Sequence, residues 1–512
     1  ALSYAYVEDL ILKGVIDNAI YDTGLLAGSI YSSTVSRMNV YTEINLKESR
    51  GASYAFNVGG LAGSVRSDTS VGAVFVFPFE SSEELSSTIS GDYNVGGISG
   101  LAVDSSIYNS GATIDVEALG DGNNGGYAGG TVGYTYLSGS PEYENREFWN
   151  SYNYATGNVT CKNDARFCGG LVGASSYGTR NSFASGNVVG GSNVGGLVGS
   201  TQRGITESYA TGNVEAAANY AGGLVGSSYL VSEETLFEKS YATGQVTGTS
   251  FVGGLFGSIA AANANSQILI ENTYALGDMS GSSNVGNFVG QLTGDSSQYF
   301  SIRNSYSAGQ NNKNTDGIVG NLSFTGPINT VQVFWNKGIN GTTSSLVANA
   351  FAVPKSLFAR QSTFSDPSWD LENVWKLDLD FQGGYLSLRG VGTFEAVSEE
   401  VPACEVVALA PITFKKGSIK FTNLTREKMR QNALKIKNSY CSTVKIFGYS
   451  SKDEPMKKQK TLATQRARAV ATFIRSKLQQ DSVYLKVIAV GKGVLPKGSL
   501  VKNRKATSTI IN

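Results

Sequence analysis

The chain has 512 residues, with 62 Gly, 9 Pro, 10% aromatic residues and only 16% charged residues. The aromatic content excludes a disordered chain, and the absence of any His excludes Ser-His-Asp and Cys-His catalysis, imidazole acid–base work and His-ligated metals. The net charge of zero conceals a split: residues 411–512 hold 23 Lys+Arg against 4 Asp+Glu, a net +19, which the rest of the chain balances with −19, so two domains with different partners are expected.

The segment YVEDLILKGVIDNAI, ahead of residue 24, reads as an N-terminal cap. A short phrase then recurs: GLLAG at 24–28, GGLAG at 59–63, GGISG at 96–100, GGTVG at 129–133, and GGLVG at 169–173, 195–199 and 222–226. GGLFG at 253–257, GNFVG at 286–290 and DGIVG at 316–320 complete ten copies, at steps of 26 to 40 residues. A second phrase follows the well-formed copies, as NSYNYATGNV at 150–159, NSFASGNV at 181–188, ESYATGNV at 207–214 and KSYATGQV at 239–246. Both alternate small or apolar with polar residues between glycines, which is strand patterning with turn punctuation. A unit this short cannot form a sheet alone and must stack on its neighbours.

The prediction is a mainly β chain: a β-solenoid of about ten repeats over residues 1–345, then an aromatic-rich cap (346–398), a linker (399–410) and a small α/β domain (411–512). In each coil, Leu and Val of GGLVG and Ala and Val of SYATGNV should point inward. Glycine should supply positive φ at the corners and let coils approach closely. The Tyr and Phe of SYA and SFA either stack in a ladder or pack as ordinary wall residues. Trp335, Trp369 and Trp375 either pack inside the cap, covering free strand edges, or form a sugar-stacking surface. GDGNNGG at 120–126 holds one Asp, too few carboxylates for a calcium loop, and reads as a turn.

The paired phrases resemble the GLUG repeat of bacterial surface proteins, some proteases and adhesin-like exoproteins, over about residues 20–325. The resemblance implies a surface-exposed β-solenoid spacer or binding stalk.

The basic segment reads β-α-β-α-β-β. Its elements are a strand in ITFKKGSIKF, a helix over LTREKMRQNALKIKNS with Thr422 or Thr425 as N-cap, a strand TVKIFGYSS, a helix over KTLATQRARAVATFIRSKL, and strands VYLKVIAVGKG and ATSTIIN. Leu462, Ala469, Phe473 and Leu478 are among the second helix's apolar positions. Three motifs, IFGYSS (446–451), LATQRARAV (462–470) and NRK (503–505), resemble the OmpA-like domain, whose usual role is non-covalent binding of peptidoglycan. The resemblance implies that Arg466 pairs with the stem-peptide carboxylate of diaminopimelate, with Arg504 beside it and Asn503 fixing the loop. A guanidinium suits that task because its fork gives two parallel bonds to a carboxylate. The family's His is Tyr449 here, and its Asp, which takes the ligand's ammonium group, is Ser451. Asp453 or Glu454 is the available substitute for that charge. Read without the family, Arg466 is a helix-surface arginine in a charged face.

Cys161 with Cys168, and Cys404 with Cys441, read as two disulfides in an oxidising compartment, or as buried thiols. No cofactor, metal, nucleic acid or membrane-spanning segment is expected, and no enzymatic activity, since the repeat phrases align no carboxylates. The leading expectation is an extracellular or cell-envelope structural or adhesive protein, held to peptidoglycan or another anionic wall polymer by residues 411–512. The alternatives are a filament subunit that binds other copies of itself through its acidic and basic parts, and a carbohydrate-active enzyme on the solenoid.

Overall fold

A computed structural model describes residues 1–45, 55–79, 87–120, 125–139, 148–163, 165–231, 234–313, 317–337, 347, 350–377, 385–392, 412–414, 418–437, 443–450, 456–478, 486–494 and 505–510. The chain divides into two compact units, Ala1–Val401 and Pro402–Asn512.

The first unit is a parallel β-solenoid with three sheets running along the stack. Among the described residues sheet I has eleven strands, sheet II has nine, and sheet III has 25, from two to twelve residues long. One coil shows the pattern. Val194–Gly195 lies in sheet II and Val198–Thr201 in sheet I, while Ile205–Thr206, Tyr209–Ala210 and Val214–Ala216 lie in sheet III. Each residue pairs with its counterpart one coil on, Val198 with Val225 and Tyr209 with Tyr241. The two phrases therefore stack like on like. Leu197, Val198, Ala210 and Val214 are all buried in the coil interior, as their alternation requires. The segment before residue 24 is a further coil rather than a cap: Tyr6–Asp17 pairs in parallel with Thr34–Asn45, residue for residue over most of its length.

The glycines meet one half of the expectation, close approach between coils, and not the other, positive φ at the corners. Their role is space. A Cβ at Gly196 would lie 2.1 Å from the Gly223 carbonyl oxygen of the next coil. In the second phrase, Gly157, Gly186, Gly212, Gly244, Gly277 and Gly309 form a column in which each abuts the carbonyl one coil back. None of these residues has positive φ. The left-handed corners belong instead to non-glycine residues: Asn181 (φ 47°), Glu207 (φ 50°), Lys239 (φ 45°), Asn272 (φ 53°) and Asn304 (φ 44°) in one series, and Asn193, Tyr220, Phe251 and Asn284 (φ 53–66°) in a second. The Ser that follows Asn181, Glu207, Lys239 and Asn304 in the first series, with Thr273 in its place after Asn272, explains the tolerance. Its hydroxyl accepts the N–H of the equivalent residue one coil back, Ser182 N to Ser208 Oγ and Ser208 N to Ser240 Oγ, both 3.2 Å, and donates to the carbonyl two residues before it. Groups that the bend would leave unpaired are thus satisfied by side chains. On the next bend an exposed Asn ladder does the same, Asn158 Oδ1 accepting from Asn187 N and Asn187 Oδ1 from Asn213 N, both 3.0 Å.

The aromatic residues of the second phrase do stack. Tyr154, Phe183, Tyr209, Tyr241, Tyr274 and Tyr306 form a ladder with centroids 4.6–5.5 Å apart and planes within 14° of parallel. The later segment packs against this ladder. Ala350–Val353 extends sheet III, and Trp375–Leu377 pairs antiparallel with Leu386–Leu388. Phe358, Phe364, Trp369 and Trp375 are fully buried against Tyr274, Tyr306 and Phe334. The Tyr306 hydroxyl donates to the Leu386 carbonyl, and Trp375 Nε1 donates to Asn272 Oδ1 at 3.3 Å. The cap is therefore as much a lateral cover on the aromatic ladder as an end closure.

The second unit is α/β. Its sheet has the order Ile412–Thr413, Lys505–Ile510, Thr443–Ser450, Lys486–Val494, antiparallel except for the last pair. The helices are α1 (Asn423–Lys437) and α2 (Met456–Leu478). Thr422 caps α1: Thr425 N donates to Thr422 Oγ1 at 3.2 Å and Thr422 N to Thr425 Oγ1 at 2.7 Å, a reciprocal capping box with Thr in place of Glu.

Candidate functional site

Helix α2 positions Arg466. Ala463, Arg466, Ala467 and Val470 recur at three- and four-residue steps and are all buried, so the arginine sits on the apolar stripe. The stripe runs about one position away from the expected one, and Leu462, Ala469 and Phe473 are only half-buried. Arg466 is 0% exposed, which corrects the surface-arginine reading. Its Nε donates to the Ser418 carbonyl at 3.2 Å, and its guanidinium lies 5.5 Å from the Phe414 ring centroid. The charge is held by a carbonyl and an aromatic face, both suited to a buried guanidinium. The remaining carried-over positions, Ser451, Asp453, Glu454, Asn503 and Arg504, lie outside the described residues, as do Cys404 and Cys441 and most of the 120–126 loop. Tyr449 lies in the strand Thr443–Ser450.

Cys161 and Cys168 are joined by a disulfide across seven residues. It ties a sheet III strand, Val159–Cys161, to the following sheet II strand, Phe167–Gly169. Trp335, Trp369 and Trp375 are at most 1% exposed, so they pack the core and cap and present no sugar-stacking surface. Among the described residues no group of three or more Cys, Asp or Glu is placed to hold a metal ion, and no helix is long and apolar enough to cross a membrane.

The fourth tryptophan is different. Trp149 is half-exposed on the outer side of sheet III. Register places Gly178 beside it and Gly204 one coil further, followed by Leu236. Two successive coils thus lack a side chain in one outward column, leaving a trough walled by Trp149 and Leu236. The indole leans into it, since a Cβ at Gly178 would lie 2.4 Å from the Trp149 ring. The Arg180 guanidinium packs 4.9 Å from the indole centroid and fixes it. The cavity measures about 240 Å³, with Arg203, Thr206 and Glu234 on its rim. The Arg203 Nε donates to the Ser176 carbonyl at 3.2 Å. The site is not legible from local sequence, because it depends on two glycines distant in the chain falling in one column; the signal lies in the coils aligned by the SYATG phrase.

Comparison of the chain with family models, with curated proteins and with solved structures found no match in any of the three.

Proposed function

We propose that this protein is an extracellular structural or adhesive component of a bacterial cell envelope. In this reading the solenoid is a GLUG-type spacer. The basic unit is an OmpA-like domain that holds the chain to peptidoglycan or another anionic wall polymer. The observation that carries the proposal is the combination of a coil stack built from like-on-like ladders with a second, compact α/β unit, in which residues 411–512 carry a net charge of +19. A stack of this kind resists extension because each coil is hydrogen-bonded to both neighbours along three sheets. A disulfide fits an oxidising compartment. The resemblance gives Arg466 and Arg504 the carboxylate-binding chemistry, and because Arg466 is fully buried a ligand must displace the segment around Ser418 or Phe414 to reach its fork, while the surrounding charge draws an anionic polymer towards the unit.

The test is co-sedimentation of the full chain with purified peptidoglycan sacculi in low and raised salt, beside Arg504→Ala and Arg466→Lys. The lysine variant keeps the buried charge while removing the fork. Pelleting that survives salt and falls in both variants supports the anchor. Pelleting that salt abolishes, or that neither variant changes, refutes it. The charge split favours a second reading, in which the acidic solenoid of one copy meets the basic unit of another. That reading predicts salt-sensitive oligomers in the absence of sacculi.

A further inference from the structure

The trough on sheet III has a chemistry that the wall-anchor reading does not use. Its walls include an indole edge and Leu236, its floor is the bare backbone at Gly178 and Gly204, and its lining carries one cation, one carboxylate and two hydroxyls. We propose that it binds one uronic acid unit of an acidic glycan.

Each feature selects part of that ligand. A pyranose ring offers a face of C–H groups, which the indole and Leu236 can cover, and a ring of hydroxyls for Glu234 and Thr206. Arg203 supplies the specificity. With its Nε tied to the Ser176 carbonyl, the terminal nitrogens are the part of the fork left for a ligand, and none of the described residues pairs with them. Glu234 lies on the same rim without forming an ion pair to Arg203. A carboxylate accepts two parallel bonds from such a fork. A neutral sugar leaves the guanidinium unmatched, and a phosphate gives the indole no apolar face to cover. The glycines are essential, since a side chain at Gly178 would displace the indole and fill the trough.

The experiment uses the full chain and two probes, a galacturonate trimer and the neutral galactose trimer. Bulk binding would not discriminate, because residues 411–512 attract any polyanion. Tryptophan emission does discriminate: Trp335, Trp369 and Trp375 are buried, so a ligand-dependent change reports on Trp149. The expected result is a saturable emission change with the uronate, and a much weaker one with the neutral trimer. Arg203→Gln should raise the half-saturation concentration at least about tenfold, with Arg203→Lys in between because the charge remains without the fork. Arg504→Ala should leave the response unchanged, which separates this site from the wall anchor. No saturable change, an equal response to both trimers, or an Arg203→Gln titration that matches the unaltered chain would overturn the proposal.

Discussion

The glycine column of the second phrase permits a quantitative prediction. In Gly212→Ala the new Cβ would sit 1.9 Å from the Gly186 carbonyl oxygen, where ordinary contact begins at 3.4 Å, so the coils must separate locally by about 1.5 Å. The obstacle is backbone, so no rotamer relieves it. Bonds at that corner are Thr211 N to the Ala184 carbonyl (3.0 Å), Val214 N to the Gln245 carbonyl (2.8 Å) and Asn213 N to Asn187 Oδ1 (3.0 Å). A separation of that size carries the bonds on the opened side beyond hydrogen-bonding distance. At about 1 kcal/mol net for each bond lost, plus packing strain, the substitution should cost about 2–4 kcal/mol. Gly191→Ala is the control, since its nearest contact is an ordinary 3.5 Å and its φ is not positive. It should change stability by less than about 1 kcal/mol, in the stabilising direction if at all. Urea unfolding of the full chain, followed by circular dichroism in the β-sheet region, compares the two. Equal midpoints for Gly212→Ala and Gly191→Ala would refute the argument that these glycines are selected for space.

Three other predictions concern the ladders and the disulfide. Ser208→Ala removes the acceptor of the buried Ser182 N–H and should cost about 1–3 kcal/mol, measurable in the same urea titration. Burial raises the Tyr209 phenol to about 12 and pushes the Tyr241 and Tyr306 phenols up as well. The unfolded chain therefore loses these protons first, and stability should decline as pH climbs from about 10 towards the folded values, seen as a falling Tm with tyrosinate absorbance appearing only on unfolding. Cys161→Ser with Cys168→Ser opens a short loop and should lower stability by about 2 kcal/mol in the same urea titration.

Much of the solenoid is legible in the sequence because its repeats are nearly exact where burial is complete. Leu197, Val198, Ala210 and Val214 announce the interior by alternation, and the recurring Tyr or Phe announces the ladder by its period. The corners were less legible. Asn, Glu and Lys occupy the same left-handed position in successive coils, so residue type carries no signal there, and the constant feature is the hydroxyl residue that follows, Ser in four coils and Thr273 in the fifth. Glycine misled in part for the same reason: its recurrence pointed to left-handed turns as well as to close approach, and only the close approach across the coil gap holds for the glycine columns. In the second unit the element order was readable from periodicity, and the same periodicity places Arg466 on the buried stripe beside Ala463, Ala467 and Val470. A charged residue on such a stripe is easily assigned to the surface when only its neighbours in sequence are weighed. The Trp149 trough required three-dimensional register, because its defining feature is the absence of side chains at Gly178 and Gly204.

The division of labour between the two units is tested most directly by hydrogen exchange of the full chain, free and bound to peptidoglycan sacculi, read by mass spectrometry. New protection should be confined to peptides within residues 411–512, including those around Arg466 and Arg504, with the solenoid coils exchanging as they do in the free chain. Protection spread over the coils, with none in 411–512, would contradict it.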